Sequence, residues 1–441
     1  MVFYLSIILG KLIVFLSQIF KIGTGSTWPG HLALLFDKNF LKKFFKKNYH
    51  LKKIIVTGTN GKTTTVALIK YLLEKKGYQV FTNEEGANLL NGIASCLIKN
   101  ANFFGKIKKK VAIFEVDEFN ISLIINEFLP EMVVILNLFR DQLDRYGEVN
   151  TIALRWFYAL KQLSPKTLVF LNGDDPNLYY LGKNISFPVF YFGLKKEEMP
   201  KKSLSFDVDF NYCPVCYALL FYKKVSYSHL GSFFCQKCGF SQKGVFTFPL
   251  KDVCLPLAGI YNRYNLAAAL LLLIKGFNLD AKEMIKLLKD FSPAFGRQER
   301  IIYQNRCFYL LLSKNPTGFN QSIDASLSFI KNKKNIFWII LNNKIPDGRD
   351  ISWIWDVDFK KIFVVVKKIF VSGDRAFDMA VRLKYEETPF PLKKNIIPIA
   401  DLKQTLKKIL KETKENDEIF VFPNYSAMLE LRRILVGRKF L

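Results

Sequence analysis

The sequence predicts an α/β protein of two sheets. One belongs to a P-loop central domain with a mostly parallel sheet and an inserted four-cysteine zinc ribbon. The other belongs to a smaller, Rossmann-like C-terminal domain. Three observations predict this. Apolar strand-like runs alternate with helical patterns from residue 54 onward, the signature of parallel strands covered by helices. Two CxxC pairs, Cys213/Cys216 and Cys235/Cys238, interrupt that rhythm inside a short aromatic segment at 205–248. A second strand–helix series begins near residue 301. At 441 residues the chain is too long for one ordinary domain. The expected division is 1–45, an apolar helix and extension; 46–300, the central domain; and 301–441, the C-terminal domain.

Residues 2–20 carry a single charge, Lys11. Three roles stay open for them: membrane anchor, interfacial helix or buried helix. The run has little polar face, so a strictly interfacial helix fits poorly. No charged segment precedes it, which argues against a signal peptide. A Gly-rich turn follows at 23–30, and FLKKFFKKNYHLKK (40–53) reads as an amphipathic helix. IIVTG (54–58), YQVFT (78–82), VAIFEVDE (111–118), MVVILNL (132–138) and TLVFLNGDDP (167–176) read as strands, with a helix at 62–77. A helix at 262–276 closes this series. The second series contains NIFWIILNN (335–343), KIFVVVKKIFVSG (361–373) and DEIFVFPN (417–424), with a helix at the C-terminus.

Composition bounds the chemistry. There are 65 Lys+Arg against 38 Asp+Glu, a net charge of +27. That excess suits nucleic acid, an anionic membrane face or a phosphate-rich substrate without choosing among them, and lysine-biased composition alone would also produce it. Only three histidines occur, His31, His50 and His229, far apart in sequence. HExxH zinc-hydrolase patterns are absent, and a His-based triad is not expected. Seven cysteines, four of them grouped, indicate a metal site in a reducing compartment rather than disulfides.

The strongest motif is Gly58-Thr59-Asn60-Gly61-Lys62-Thr63, between a strand and a helix. Backbone N–H groups at a helix N-terminus favour an anion. Lys62 would reach nucleotide phosphates and Thr63 would ligate Mg²⁺. The loop is a shortened P-loop, since Thr57 stands where the outer glycine would be sought. Glu115 at a strand end is the metal-side candidate, with Asp117 and Glu118 as alternatives. Asn137, Arg140, Asp141 and Asp144 cluster past the next strand end. The cysteine pairs, with 18 residues between them, suit a closed tetrahedral structural zinc. Cys96, Cys254 and Cys307 are isolated and read as core filling. Asn262 and Asn265 share one helix face and could hold a purine edge, although capping explains Asn262 nearly as well. Arg297 could reach a γ-phosphate. Asp347 and Asp350 flank a turn beside two tryptophans, where either could orient a base or a nucleophile, or simply cap a turn.

GTNGKTTT, DQLDRYGE, LNGDDP, GIYNRYN and FGRQER occur in the order that the Mur ligase family uses them. The four-cysteine ribbon, NEEGAN (83–88), KNPTGFNQ (314–321) and DGRDISWIWD (347–356) make the resemblance closer to its MurT branch. The resemblance implies ATP-dependent activation of a carboxylate as an acyl phosphate, then attack by ammonia. The implied substrate is the D-glutamate α-carboxylate of lipid II, converted to D-isoglutamine. Ammonia would come from a GatD-like glutaminase subunit. Consistently, Cys96 in IASCLIK lacks the tight turn of a glutaminase nucleophile. Under this reading Lys62 and Thr63 hold phosphate and Mg²⁺, Glu115 is metal-side, Asn262 and Asn265 face adenine, and Asp350 matches the subfamily's essential aspartate.

Two departures stand out. The P-loop lies near residue 60, which leaves no room before it for the domain that binds UDP in other Mur ligases and fits a lipid-linked substrate. Arg155-Trp156-Phe157 occupy the expected place of a carbamylated lysine, and Lys161 comes one turn late, so no such lysine is expected. The setting is cytoplasmic, with attachment to the inner membrane face left open. An amino-acid-adding ligase, as in folylpolyglutamate synthesis, is the alternative. A nucleic-acid module, prompted by charge and ribbon, is disfavoured by the ordered nucleotide motifs.

Overall fold

The computed structural model describes residues 2–20, 27–83, 86–141, 149–200, 204, 210–250, 253, 257–292, 297–330, 335–348, 350–386 and 395–437. Three helices come first: α1 (Val2–Phe20), α2 (Trp28–Phe36) and α3 (Phe40–Lys47). The helix expected over 40–53 stops at Lys47, because Lys52 already pairs in a strand. Then follow β1 (Lys52–Thr57), α4 (Lys62–Lys75), β2 (Val80–Thr82), α5 (Leu90–Asn100), β3 (Val111–Glu115), α6 (Ile121–Glu127) and β4 (Met132–Ile135). Next come α7 (Val149–Lys161), β5 (Leu168–Asn172), α8 (Pro176–Lys183) and β6 (Val189–Gly193). A hairpin of β7 (Phe221–Tyr227) and β8 (Leu230–Phe234) follows, then β9 (Val245–Thr247), α9 (Ile260–Phe277) and α10 (Ala281–Leu287).

The first sheet runs β2-β3-β1-β4-β5-β6-β9 and every pairing in it is parallel. Strands buried on both faces must be apolar throughout, which is why IIVT and MVVI lack alternation. The pleat still sorts them. Ile54 and Val56 face α4 and the leucine-rich α9, while Ile55 packs on the opposite side with Phe114 and Ile93. The cysteine-bearing segment lies beside this sheet, and its last strand, β9, joins the sheet as an edge.

The second sheet is built from β10 (Arg297–Tyr303), β11 (Arg306–Leu311), α11 (Pro316–Phe329), β12 (Asn335–Ile340), α12 (Lys360–Phe363) and β13 (Val366–Ser372). It is completed by α13 (Ala376–Tyr385), β14 (Ile396–Pro398), α14 (Leu402–Glu412), β15 (Glu418–Pro423) and α15 (Tyr425–Val436). Its order is β10-β11-β15-β12-β13-β14, and only β10–β11 is antiparallel. Phe337 and Phe420 face α11 and α13, whereas Trp338 and Val421 face α14 and α15. KIFVVVKKIFVSG does not form one strand. Its first residues lie in α12, where Ile362 and Phe363 are buried, and the strand starts at Val366.

No helix among the described residues is long and apolar enough to cross a membrane. The first half of α1 is instead packed on the body of the protein. Ile7 is buried, and a Cβ on Gly10 would come within 2.9 Å of Ile98 Cδ1 on α5.

LNGDDP (171–176) turns out to be structural. Asp175 caps α8 by accepting from the N–H groups of Asn177 and Leu178, and Pro176 opens the helix. Asp174 ties four parts of the fold together. Its carboxylate accepts from Leu194 N at 3.0 Å, Tyr264 Oη on α9 at 2.8 Å and Gln242 Nε2 at 2.9 Å, and its carbonyl accepts from Gly231 N at 2.9 Å. Burial pushes this carboxyl up to about 7, against the pull of those three donors. A folded-state value above the unfolded one means the native state holds the extra proton. Its contribution to stability is complete below the unfolded carboxyl range of about 4 and is lost as pH rises through about 7. Asp174→Asn should therefore flatten the fall in stability between about pH 4 and about pH 7, measured as urea midpoints; an unchanged slope would assign that fall to other groups.

Candidate functional site

The loop between β1 and α4 is clamped by the segment that follows β4. Asn137 brackets it: its Oδ1 accepts from Asn60 N at 2.9 Å and its Nδ2 donates to Asn60 O at 3.0 Å. Thr59 adds a second clasp, with Oγ1 accepting from Phe139 N at 3.0 Å. Gly58 and Gly61 have φ of 135° and 89°, values that favour glycine. Gly61 is also constrained by space, since a Cβ there would lie 2.1 Å from Asn265 Oδ1.

Lys62 points back into the loop. Its Nζ donates to Gly58 O at 2.6 Å and Glu118 Oε2 at 2.8 Å, with both side chains buried. Burial works against its charge, and the carboxylates of Glu118, Asp117 and Glu115 outweigh that and hold its pKa raised. Lys62 thus stays a cation. Glu118, an alternative metal-side residue by sequence, is here the lysine's partner. Its carbonyl accepts from Trp156 Nε1 at 2.7 Å, so the indole supports this carboxylate's backbone from α7. Lys161 on the same helix lies over the Phe157 ring, 4.2 Å from its centroid.

Thr63 Oγ1 is buried with no hydrogen-bond partner. An orphaned hydroxyl in the first turn of this helix fits a missing cation ligand. Glu115 is buried at the end of β3, its backbone fixed on both sides by Asn83 at 2.8 and 2.9 Å. Asp117 is engaged locally with Phe119 N and Asn120 Nδ2.

Asn262 and Asn265 meet as the sequence expects. Asn265 Nδ2 donates to Asn262 Oδ1 at 3.1 Å, and Asn262 Nδ2 donates to Ala258 O at 2.7 Å. Asn262, together with Asn60, Gly61, Thr64, Tyr261, Leu311 and Gln321, lines a cavity between the two sheets, and Asn265 stands behind it. Sequence reasoning missed Gln298. This residue adopts φ 60° and makes a two-way amide contact with Ala258, accepting from N at 2.7 Å and donating to O at 2.6 Å. It pins the entrance to α9 from the neighbouring sheet. A glutamine beside Arg297 gives no sequence signal for that role. Arg297 begins β10, and its side chain lies outside the described residues, as do Cys254 and Asp144.

A second cleft adjoins the first. Arg140, Asp141, Lys314, Asn315, Asp347, Asp350, Trp353 and Asp356 line it. Three polar contacts cross between the sheets here. Asn60 and Asn315 exchange amide hydrogen bonds at 3.3 and 3.1 Å, Lys314 pairs with Asp141 at 2.5 Å, and Arg140 pairs with Asp356 at 3.1 Å. The other oxygen of Asp141, Oδ1, is buried without a hydrogen-bond partner among the described residues. The two aspartates of DGRD separate in role. Asp347 is buried and accepts from the N–H and hydroxyl of Ser426, which anchors α15. Asp350 is exposed and, among the described residues, accepts from Ser352, N at 2.8 Å and Oγ at 2.9 Å.

The cysteines converge. The sulfurs of Cys213, Cys216, Cys235 and Cys238 all lie within 4.8 Å of one another. A tetrahedral zinc with Zn–S of about 2.3 Å needs sulfurs about 3.8 Å apart, which this spacing fits. Both CxxC turns end in a left-handed residue, Tyr217 at φ 58° and Gly239 at φ 74°. Cys96 and Cys307 are buried, as core filling requires.

Residues 56–273 match the Mur ligase middle domain family, and residues 312–428 match the MurT ligase C-terminal family. A lipid II isoglutaminyl synthase (glutamine-hydrolyzing) subunit MurT from Streptococcus pneumoniae is 35% identical, the match covering 95% of this chain and 94% of that one. The chain belongs to the MurT family of Mur ligases. A MurT subunit from Staphylococcus aureus is 31% identical, with 83% of this chain and 84% of that one covered. The fold agrees with a solved pseudomurein peptide ligase type C from Methanothermus fervidus, at TM-score 0.64 and 20% identity, covering 89% and 80% of the two chains. It agrees also with a MurF ligase from Thermotoga maritima solved in complex with ADP, at TM-score 0.60 and 16% identity over 92% and 84%.

Gly61→Ala should disrupt the packing of the loop on Asn265 and cost about 1–3 kcal/mol, the range for backbone strain of this kind. Chemical denaturation measures it; an unchanged midpoint would mean that Asn265 yields without cost.

Proposed function

We propose that the chain is the ligase subunit of a lipid II isoglutaminyl synthase, amidating the D-glutamate α-carboxylate of lipid II to D-isoglutamine. The observation that carries this is the position of the clamped Gly58–Thr63 loop. The loop lines the first cavity, and its Asn60 bonds Asn315 of the adjoining cleft, where Lys314 and Asp350 stand. ATP would bind with its phosphates over the loop N–H groups of Gly58, Thr59, Asn60 and Gly61. Lys62 would exchange Glu118 for phosphate. Asn262 and Asn265 would approach adenine, and Arg297 the γ-phosphate. Mg²⁺ would be held by Thr63 and Glu115, supplying charge neutralisation for phosphoryl transfer.

Transfer of the γ-phosphoryl group to the carboxylate releases ADP. Ammonia then attacks the acyl carbon, phosphate leaves, and the nitrogen loses a proton. Lys314 is placed beside Asp141 to stabilise charge in this cleft. Asp350 is free to face the cleft or a partner, which suits it to the ammonia step. The ammonia would be delivered by a GatD-like glutaminase subunit. The four cysteines would hold a structural Zn²⁺, closed to substrate. The setting is the cytoplasmic face of the cell membrane, where a lipid-linked substrate is presented, and no nucleic acid takes part. The proposed division keeps three units, expected from sequence at 1–45, 46–300 and 301–441, with both boundaries shifted so as not to cut α3 (Phe40–Lys47) and β10 (Arg297–Tyr303).

The test is conversion of lipid II with ATP and glutamine, with and without the glutaminase. A product enlarged by an amino acid, seen by mass spectrometry, would replace amidation with the amino-acid-adding alternative. Asp350→Asn should abolish amidation and leave ATP affinity near normal, and unchanged amidation would remove Asp350 from the mechanism. Cys235→Ser should lower bound zinc on elemental analysis, and unaltered content would rule out ligation by all four cysteines.

A further inference from the structure

α1 has two opposed faces. Ser6, Ile7 and Gly10 pack inward on the body of the protein. Tyr4, Leu5, Ile8, Leu12, Phe15, Leu16 and Ile19 fall on the opposite side of the helical wheel, and each is 40% exposed or more. The outward stripe is therefore apolar along a helix about 28 Å long. Apolar stripes of this size on a folded surface mark contact with something that covers them.

The surroundings indicate what that is. Tyr4 and Lys11, two turns apart, mark one edge of the stripe. Lys47 of α3 reaches Tyr4 there, with Nζ 2.9 Å from Oη. Lys11 lies over the ring of Phe103, 5.5 Å from its centroid, and Phe103 and Phe104 are 63% and 70% exposed. The loop carrying them rests on α1, since a Cβ on Gly105 would come within 2.7 Å of Ile7. α3 buries Phe40, Leu41, Phe44 and Phe45 and turns Lys42, Lys43 and Lys46 outward. Lys106, Lys108 and Lys110 are exposed beyond the phenylalanines. Residues 1–53 contain nine lysines and one acidic residue, Asp37, which is neutralised by Lys43 at 2.8 Å. Apolar side chains edged by lysines, with aromatic rings at the border, match the layering of an anionic bilayer surface. A second copy of the chain fits poorly, because a two-fold contact would bring like charges together.

We propose that this layer docks on an anionic lipid bilayer, with α1 lying in the interface rather than crossing it. The stripe enters the acyl boundary, and the lysines of α3 and of residues 106–110 meet the lipid phosphates. Docking of this kind would hold the chain at the surface that carries a lipid-linked substrate.

The test is co-sedimentation of the full-length chain with phosphatidylcholine vesicles, with and without phosphatidylglycerol. These vesicles contain no lipid II, so the outcome is independent of the ligase reading. Binding should require phosphatidylglycerol and weaken with salt. F15Q/I19Q should reduce it roughly tenfold or more at unchanged melting temperature, because both side chains are exposed. K42Q/K46Q should weaken it as well. Should F15Q/I19Q misfold, F103S/F104S probes the same surface from a loop. Equal binding to phosphatidylcholine alone, or wild-type vesicle binding by correctly folded face variants, would overturn the proposal. So would a wild-type oligomer that the face variants dissolve without any vesicle binding.

Discussion

The site depends on one constraint, the close approach of the Gly58–Lys62 turn to Asn137 and Asn265. Asn137 holds the turn by both edges of its amide, and Asn265 comes so near Gly61 that a single methyl group would collide with it. The clamp draws together β1, the segment after β4 and the start of α9, which are far apart in sequence. Once it is set, α4 begins at Lys62, whose Nζ donates to the loop carbonyls of Gly58 and Thr59 and to Glu118.

The Lys62–Glu118 pair is a further consequence. A buried ion pair adds little net stability because both charges lose water, yet removing one partner leaves the other stranded. Around a phosphate loop this balance has a use. The pair keeps the lysine charged and in place, and under the proposed function an arriving phosphate would substitute for the carboxylate without requiring a new cation. On the loop's own side Asp141, past β4, accepts through Oδ2 from Lys314 of the second sheet. The cleft is therefore polar on both sides and bridged by contacts that belong to neither sheet alone.

Strand runs such as IIVT, MVVI and IFWII were legible because strands buried on both faces must be continuously apolar. The P-loop and the cysteine pairs were legible because their chemistry demands fixed residue types at fixed spacing. Boundaries were less so. KIFVVV has a strand-like composition but begins as α12, where burial of Ile362 and Phe363 decides the matter. The apolar segment 2–20 left three roles open, since a helix without a polar face gives no sign of which side is covered. Packing of Ile7 and Gly10 against α5 supplies that sign.

By itself the sequence determined the alternation of strands and helices, the Gly-rich loop between β1 and α4 and the spacing of the four cysteines, all set by local periodicity or by motif spacing. The tertiary structure decided what each polar residue does. Asp347 and Asp350 are near neighbours in one motif, yet one is buried against Ser426 and the other is exposed. Asp174 and Asp175 are adjacent, yet one links the cysteine-bearing segment to α9 and the other caps α8. Gln298, silent in the sequence, pins the entrance to α9 from the second sheet. The reason is physical. A side chain's type fixes what it can bond to, but its burial and its partners come from distant segments, and only the packed chain brings those segments together.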